Sequence, residues 1–403
     1  MAMTSAASAA ARPDPTRLNV FLLACCQALS MTGMSLVITV SALVGSLLAP
    51  DRAYATLPVA VQMTATMLTT IPASLLMKQI GRRPAFMLGV LIGMAGSSLC
   101  ATAIFSGDFV LFCAGQAMMG SAQGFAMYYR FAAADTASPA FRPKAISLVM
   151  AGGVVSGLLG PQIATWTRDL FAPVQFAGSF AAIAVLWTVP LLLLAFVRIP
   201  RPSEAERRDS GRPFAFILAQ PKLWVAMGGA VIAYSVMNFL MTSTPLAMVA
   251  CGHSFADAAL TIQGHVLGMF VPAFFTGSLI QRFGVMRVMA AGAVLMLGCA
   301  LVNLTGLERW QFQLSLLLLG VGWNFLFVGG TTLLGECHSP AEKAKVQAMN
   351  DFVVFSTVAV TAFSSGWLHE HLGWAAMNIA TIPFLLVALA LIAMQAVRKP
   401  RVA

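Results

Sequence analysis

The sequence predicts an all-α integral membrane protein: twelve transmembrane helices in two pseudo-symmetric six-helix bundles. Three observations carry this expectation. Of 403 residues, 59% are apolar and only 9% are charged, whereas a soluble domain carries about 25% charge because its surface faces water. Apolar runs long enough to cross a bilayer recur along the whole chain. The polar punctuation of the first half returns in the second.

A span needs about 20 apolar residues, because the hydrocarbon core is about 30 Å thick and a helix rises about 1.5 Å per residue. Twelve runs qualify: 18–48, 56–78, 84–106, 109–133, 144–168, 173–197, 222–250, 257–281, 285–306, 311–335, 343–368 and 373–397. Pro50, Pro84, Pro143, Pro173 and Pro340 stand near the ends of these runs, where proline terminates or starts a helix. The first and seventh runs are long enough that part of each should lie outside the bilayer. The organisation that follows is a tail at 1–17, a six-helix bundle at 18–197, a linker at 198–221, a second bundle at 222–397 and a tail at 398–403.

Charge sets the sidedness. An even number of spans puts both termini on one face. With that face cytoplasmic, all of the 24 Lys and Arg residues except Arg52, Arg168 and Arg309 fall on the inner side, as basic residues do in membrane proteins. The basic clusters are short and dispersed between apolar runs, so the net charge of +10 does not describe a nucleic-acid surface. The expectation is a multi-pass protein of the plasma membrane, the inner membrane of a bacterium, with both termini cytoplasmic. The N-terminal segment lacks the apolar core of a cleaved signal. Seven cysteines without a C-x-x-C pair read as small buried hydrophobes.

The halves repeat. Gly81 after span 2 and Gly284 after span 8 lie 203 positions apart, and Gly120 and Gly320 lie 200 apart. Asp135, Pro139, Arg142 and Lys144 match Glu336, Pro340, Lys343 and Lys345 at a constant offset of 201. A run of matches at nearly one offset points to duplicated six-helix units.

Two such units joined by a charged loop resemble the major facilitator superfamily. That family's loop signature, G-x-x-x-D-R-x-G-R-R/K, is met here by Gly81, Arg82 and Arg83, while Ser74, Lys78 and Gln79 depart from it. The second copy keeps Gly277, Arg282 and Gly284. Gly160 and Pro161 of span 5 resemble the family's Gly-Pro motif, and the family's span 4 arginine appears as Gln116. The resemblance implies a secondary transporter that works by alternating access about a central cavity. Spans 1, 4, 7 and 10 would line the cavity, and spans 2, 5, 8 and 11 would form the interface between halves. On those spans Gln27, Gln116, Gln123, Tyr128, Tyr234, Asn238, Trp323 and Asn324 become candidate cavity residues, together with Met31. Their mix of aromatic and polar groups suits a small organic, amphipathic or aromatic solute. The family's loop acid usually meets the start of span 11; Lys78 with Glu342 would be a charge-reversed version of that latch.

Three residues are candidates for proton coupling or gating. Asp351 stands eight residues beyond Lys343, ~12 Å along the helix. A carboxylate at that depth costs roughly 2.5–3.5 kcal/mol, so it must be protonated, paired or solvated. Arg130, at the end of a Tyr-Tyr-Arg run, is its best partner, although a cation near the boundary also snorkels. His265 in span 8 suits a proton relay but equally a hydrogen-bonded packing role. Gly153, Gly157 and Gly160 are spaced to share one face of span 5, and Gly264 and Gly268 one face of span 8, where small residues let helices approach. The His-Glu-His run at 369–371 lacks the spacing of a helical zinc site.

Taken together these features describe a proton-coupled carrier, acting alone as a monomer in the lipid bilayer, with a small-molecule substrate and protons as partners and no cofactor. A metabolite or drug exporter and a nutrient symporter remain alternatives. A receptor or scaffold on the same fold is the more distant reading. An enzyme is not expected, because no nucleophile–base or metal set gathers on one helix face.

Overall fold

The protein is described by a computed structural model that covers residues 15–137, 145, 148–199, 212–339 and 342–397. Helices account for nearly all of it, because in lipid every backbone N–H and C=O must be satisfied within its own segment. Nine helices are long and apolar enough to cross a membrane among the described residues.

Most spans are single helices. Span 1 is Pro15–Leu48, span 2 Leu57–Ile80, span 3 Arg82–Ser106, span 7 Pro221–Ala250, span 9 Val285–Asn303 and span 10 Arg309–Gly335. Span 5 runs from Leu148 to Thr167. Three expected spans are interrupted. Span 4 is Phe109–Ala126 followed by Tyr129–Thr136. Span 6 is Ala177–Leu186 and Thr188–Phe196, with Trp187 between them. Span 8 is Phe255–Phe270 and Ala273–Phe283, bent by 44° at Pro272, where proline removes a backbone donor. Spans 11 and 12 form one run, Lys343–Val397, turned back on itself at Gly373, whose φ is 76°.

Two apolar cores hold the molecule. One is built from spans 1–6 and the other from spans 7–12. The duplication is visible in the backbone. Gly81 and Gly284 both adopt positive φ, 93° and 85°, at the turn that ends spans 2 and 8. That conformation is open to glycine and strained for other residues.

The interface between halves is uneven with depth. On the face away from the termini, Gly366 N donates to Thr56 Oγ1 at 2.9 Å, and Gln162 Nε2 donates to Gln263 Oε1 at 3.2 Å. The Arg168 guanidinium lies over Phe176 of the first half and Phe255 of the second, whose rings meet edge to face at 5.3 Å. At mid-depth Ser356 reaches Met67 Sδ, and Val59, Ala60 and Met63 pack with Val354, Val358 and Ala362. Hydrogen bonds between described residues join the halves at these two levels and at the Gln263–Leu158 contact beside them.

Candidate functional site

The helices leave a cavity of about 130 Å³ where the halves separate below the far-face contacts. That is room for roughly ten water molecules. Spans 1, 2, 4 and 5 contribute one wall and spans 7, 8 and 11 the other. Seven of the lining residues are methionines: Met31, Met34, Met63, Met127, Met237, Met241 and Met269. Unbranched thioethers adapt to irregular apolar shapes and touch aromatic rings favourably.

The two walls differ in chemistry. The second half supplies Tyr234, Phe270, Phe355 and Asn238. Tyr234 is held by edge-to-face contacts to Trp323, Phe327 and Phe355 at 5.5, 5.4 and 5.7 Å. Trp323 stacks on Phe327 at 4.9 Å. The first half supplies Ser35, Thr66, Gln123 and Ser156. Thr66 and Ser156 donate their hydroxyls to backbone carbonyls. The Ser35 hydroxyl is buried without a partner.

Of the expected cavity residues, Gln123, Tyr234, Asn238 and Met31 line it. The others are placed elsewhere. Gln116 is fully buried and donates to Ser41 Oγ of span 1 at 2.7 Å. Asn324 donates to Met269 O and accepts from Thr276 Oγ1, both at 2.6 Å, so it binds span 10 to span 8. Tyr128 donates to Thr70 O of span 2 at 2.9 Å. Trp323 stands behind Tyr234 as backing for the wall. Gln27 is buried with its Oε1 unpartnered, away from the lining. Gln116, Asn324 and Tyr128 thus each bond across a helix crossing, as the low dielectric demands of buried polar groups.

His265 also faces a neighbouring helix and not the cavity. It is fully buried, its Nδ1 sits 2.8 Å from Leu316 O of span 10, and its Nε2 has no partner. Asp351 lies one helical turn before Phe355, toward the terminus side, and accepts from Asn350 Nδ2 at 3.2 Å. Arg130, just beyond Met127 on span 4, is the basic group whose charge acts on both Asp351 and Tyr234. Among the described residues no ion pair joins Arg130 to Asp351; the guanidinium lies 4.8 Å from the Phe131 ring centroid.

The glycine face of span 5 divides. Gly153 and Gly157 face Phe270 and Val266 of span 8, across the two halves, while Gly160 packs on Ser35 and Thr32 of span 1 within its own half. Pro161 is buried beside it. A seven-residue spacing puts Gly160 nearly in register, but span 1 and not span 8 occupies that level. Gly268 meets Leu317 and Val321 of span 10, and Gly264 has open space beside it. Gly277 likewise has open space, and Arg282 lies over Phe283.

Glu342 is buried and accepts from the Arg212 side chain at 2.6 and 2.8 Å, and from the backbone N–H of Arg212 and Ser339, both at 2.9 Å. Its partner is thus a residue of the linker, where the sequence suggested Lys78; the Lys78 side chain lies outside the described residues. The Arg212 guanidinium and the Ser339 N–H hold the Glu342 carboxyl well below the usual carboxylate range. Lys222 pairs with Glu336 nearby. Arg83 is exposed at the start of span 3, and Arg82 adjoins Gly81 there. The methionines other than Met31, and Phe270 and Phe355, were missed in the sequence because apolar residues in a membrane helix look alike whether they face lipid, a neighbour or a cavity.

The family model described as Major Facilitator Superfamily matches residues 23–264 and 252–403. The chain belongs to the major facilitator superfamily. It is therefore a membrane-embedded, multi-pass transporter of that type and not an enzyme. The chain is 42% identical over 387 residues to the riboflavin transporter RfnT of Brucella anthropi, covering 96% of this chain and 97% of that one. It is 25% identical over 378 residues to the MFS-type transporter YdeG of Bacillus subtilis, covering 90% and 88%. A crystal structure of a bacterial homologue of the human lysosomal transporter Spinster, inward-facing and unoccupied, superposes with a TM-score of 0.75 at 14% identity, over 95% of this chain and 97% of that one. That likeness concerns the fold.

Proposed function

We propose that this transporter carries riboflavin, or a flavin closely related to it, into the cell across the plasma membrane. The observation that carries the reading is the near full-length 42% identity to a riboflavin transporter. The cavity is compatible with it. Riboflavin joins a flat three-ring system to a hydroxylated chain. Methionines line both walls; the second half adds aromatic rings and the Asn238 amide, and the first half adds hydroxyls and the Gln123 amide. Contacts of this kind place an amphipathic solute without a strongly charged anchor.

Bonded contacts between the halves close the cavity on the far face. With both termini cytoplasmic, as the basic loops suggest, this is the inward-facing state of an alternating-access cycle. Cys251, exposed at the turn after span 7, gives a test of sidedness. A membrane-impermeant maleimide should label it in intact cells; labelling only after permeabilisation would reverse the topology.

Asp351 and Arg130 stand on opposite halves one turn beyond the cavity. Our reading is that they approach when the cytoplasmic side closes, and that protonation of Asp351 couples the cycle to the proton gradient. The decisive experiment is riboflavin uptake into proteoliposomes by the purified protein. Uptake should rise with an inwardly directed proton gradient and collapse with an uncoupler. No riboflavin flux in either direction, including exchange against preloaded riboflavin, would remove the substrate assignment. Asp351→Asn should retain exchange and lose gradient-driven accumulation by tenfold or more, about 1.4 kcal/mol of coupling; normal accumulation by this variant would remove the proton role.

A further inference from the structure

A second, smaller hollow lies inside the first bundle and shares one wall with the central cavity. It is lined by Ser30, Gln123, Tyr129 and Trp187, and measures about 10 Å³. That is room for one oxygen-sized group. Gln123 borders both spaces. Its side chain makes no hydrogen bond with the protein, although it sits within the bundle.

Trp187, which forms one wall of the recess, carries an orphan donor that lies toward Gly33. Trp187 is 5% exposed, and its Nε1–H is buried without a partner. The ring is fixed in place: it stands at the break in span 6, and Gly33 and Gly93 leave no room for a Cβ against it. Ser30 is the hydrogen-bonding neighbour of Tyr129. A buried N–H without an acceptor costs about 1–3 kcal/mol, so a donor held this firmly calls for an oxygen to accept from it. Close by in the central cavity, the Ser35 hydroxyl is likewise buried and unpartnered.

The second half uses its largest polar groups differently. Its amide at Asn324 and its imidazole at His265 are bonded to neighbouring helices. Buried polar atoms without a partner occur in both halves, Trp323 Nε1 and Ser243 Oγ among those of the second; at the central cavity the unbonded amide of Gln123 stands on the first-half wall and the aromatic rings on the second-half wall.

We infer that Gln123, with the Trp187 recess behind it and Ser35 beside it, is the hydroxyl-recognising end of the transport site. The substrate then lies across the two halves, rings against Tyr234, Phe270 and Phe355, hydroxylated chain toward Gln123. The Trp187 recess takes one oxygen, either a hydroxyl of that chain or a water that Gln123 presents to it. This inference rests on the flavin reading above. It assigns selectivity to the first half: a flavin without the hydroxylated chain leaves these donors unpaired, which a site built for hydroxyls rejects strongly.

The test is equilibrium binding to purified protein in nanodiscs, read by flavin fluorescence. The probes are riboflavin and the same ring system carrying a methyl group in place of the chain. The wild type should bind riboflavin about tenfold or more tighter. Gln123→Met and Trp187→Phe should each bring that ratio toward one, while affinity for the chainless flavin stays within about twofold. Ser30→Ala serves on the same recess should Trp187→Phe fail to fold. Loss of riboflavin binding to Trp187→Phe but not to Ser30→Ala or Gln123→Met would assign the effect to packing and overturn the role of the recess. If the wild type prefers riboflavin and every folded variant keeps the wild-type ratio, the inference fails and the flavin reading stands. If the wild type binds neither probe, both fail together. A ratio changed by Gln123→Met and unchanged by Trp187→Phe and Ser30→Ala would overturn the role of the recess.

Discussion

The crossing of spans 2 and 4 and the crossing of spans 8 and 10 are built on one plan and finished differently. At each, a glycine of the later span lies directly on a backbone carbonyl of the earlier one: Gly120 on Gln62, Gly320 on His265. Gly120 and Gly320 are repeat mates read from the sequence. The first crossing is closed by two hydroxyls, Thr66 Oγ1 donating to Gly120 O and the Tyr128 hydroxyl donating to Thr70 O, both at 2.9 Å. The second is closed by His265 against Leu316 O and by Asn324 between Met269 O and Thr276. After duplication the glycines kept the framework while the polar positions diverged. A polar side chain in a membrane helix can satisfy a neighbour or remain open to a solute, and Gln123 of span 4 and Asn324 of span 10 made opposite choices.

The comparison is broken most severely at the glycines. Gly120→Ala and Gly320→Ala each push a methyl group into a backbone carbonyl, which cannot move like the tip of a side chain. Overpacking of this kind costs about 1–3 kcal/mol, so both should lower the thermal unfolding midpoint in detergent by several degrees. A normal midpoint in one and not the other would mean that the crossings are not equivalent.

A smaller effect sharpens the contrast between glue and recognition. Asn324→Ala strands the buried Met269 carbonyl and removes the bond to Thr276, and should cost about 1–2 kcal/mol of stability. Gln123→Ala breaks no internal bond and should stay within about 0.5 kcal/mol in the same unfolding assay. Its loss should appear in substrate affinity instead. Equal destabilisation by the two substitutions would erase the division between halves.

The smallest effect tests the surface anchor of the second half, which has no counterpart among the described residues of the first. Arg212 holds the Glu342 carboxyl below its ordinary range. A lowered folded-state value means that the pair contributes fully above the unfolded value of about 4.3 and less as pH falls below it toward the folded value. The midpoint of the wild type should therefore decline between about pH 5 and pH 3. Glu342→Gln should decline less over that window, and an identical slope would show that the anchor is not linked to folding.

Much of the fold was legible in the chain. Gly81 and Gly284 were recognised by position, and their positive φ values follow from the turn that each must make. The breaks in spans 4 and 6 were not legible, because Met127 and Trp187 carry no signal of chain reversal or proline. The Arg212–Glu342 pair was missed because the two residues are 130 positions apart, and several charges compete for any one partner. The methionine lining was missed because its chemistry is that of lipid-facing residues.

What the sequence determined alone is the number of passes, the duplication and the grouping of basic loops, since bilayer thickness and the cost of moving charge act on each segment separately. What only the tertiary structure decided is which polar groups face the cavity. Gln116 and Gln123 are two turns apart on one face of span 4, about 10.5 Å in depth. At the upper level span 1 lies close, and Gln116 bonds Ser41. At the lower level the helices have splayed, and Gln123 meets open space. Periodicity gives the angle of a side chain about its own axis. The distance to the next helix at that depth is set by every other contact in the bundle.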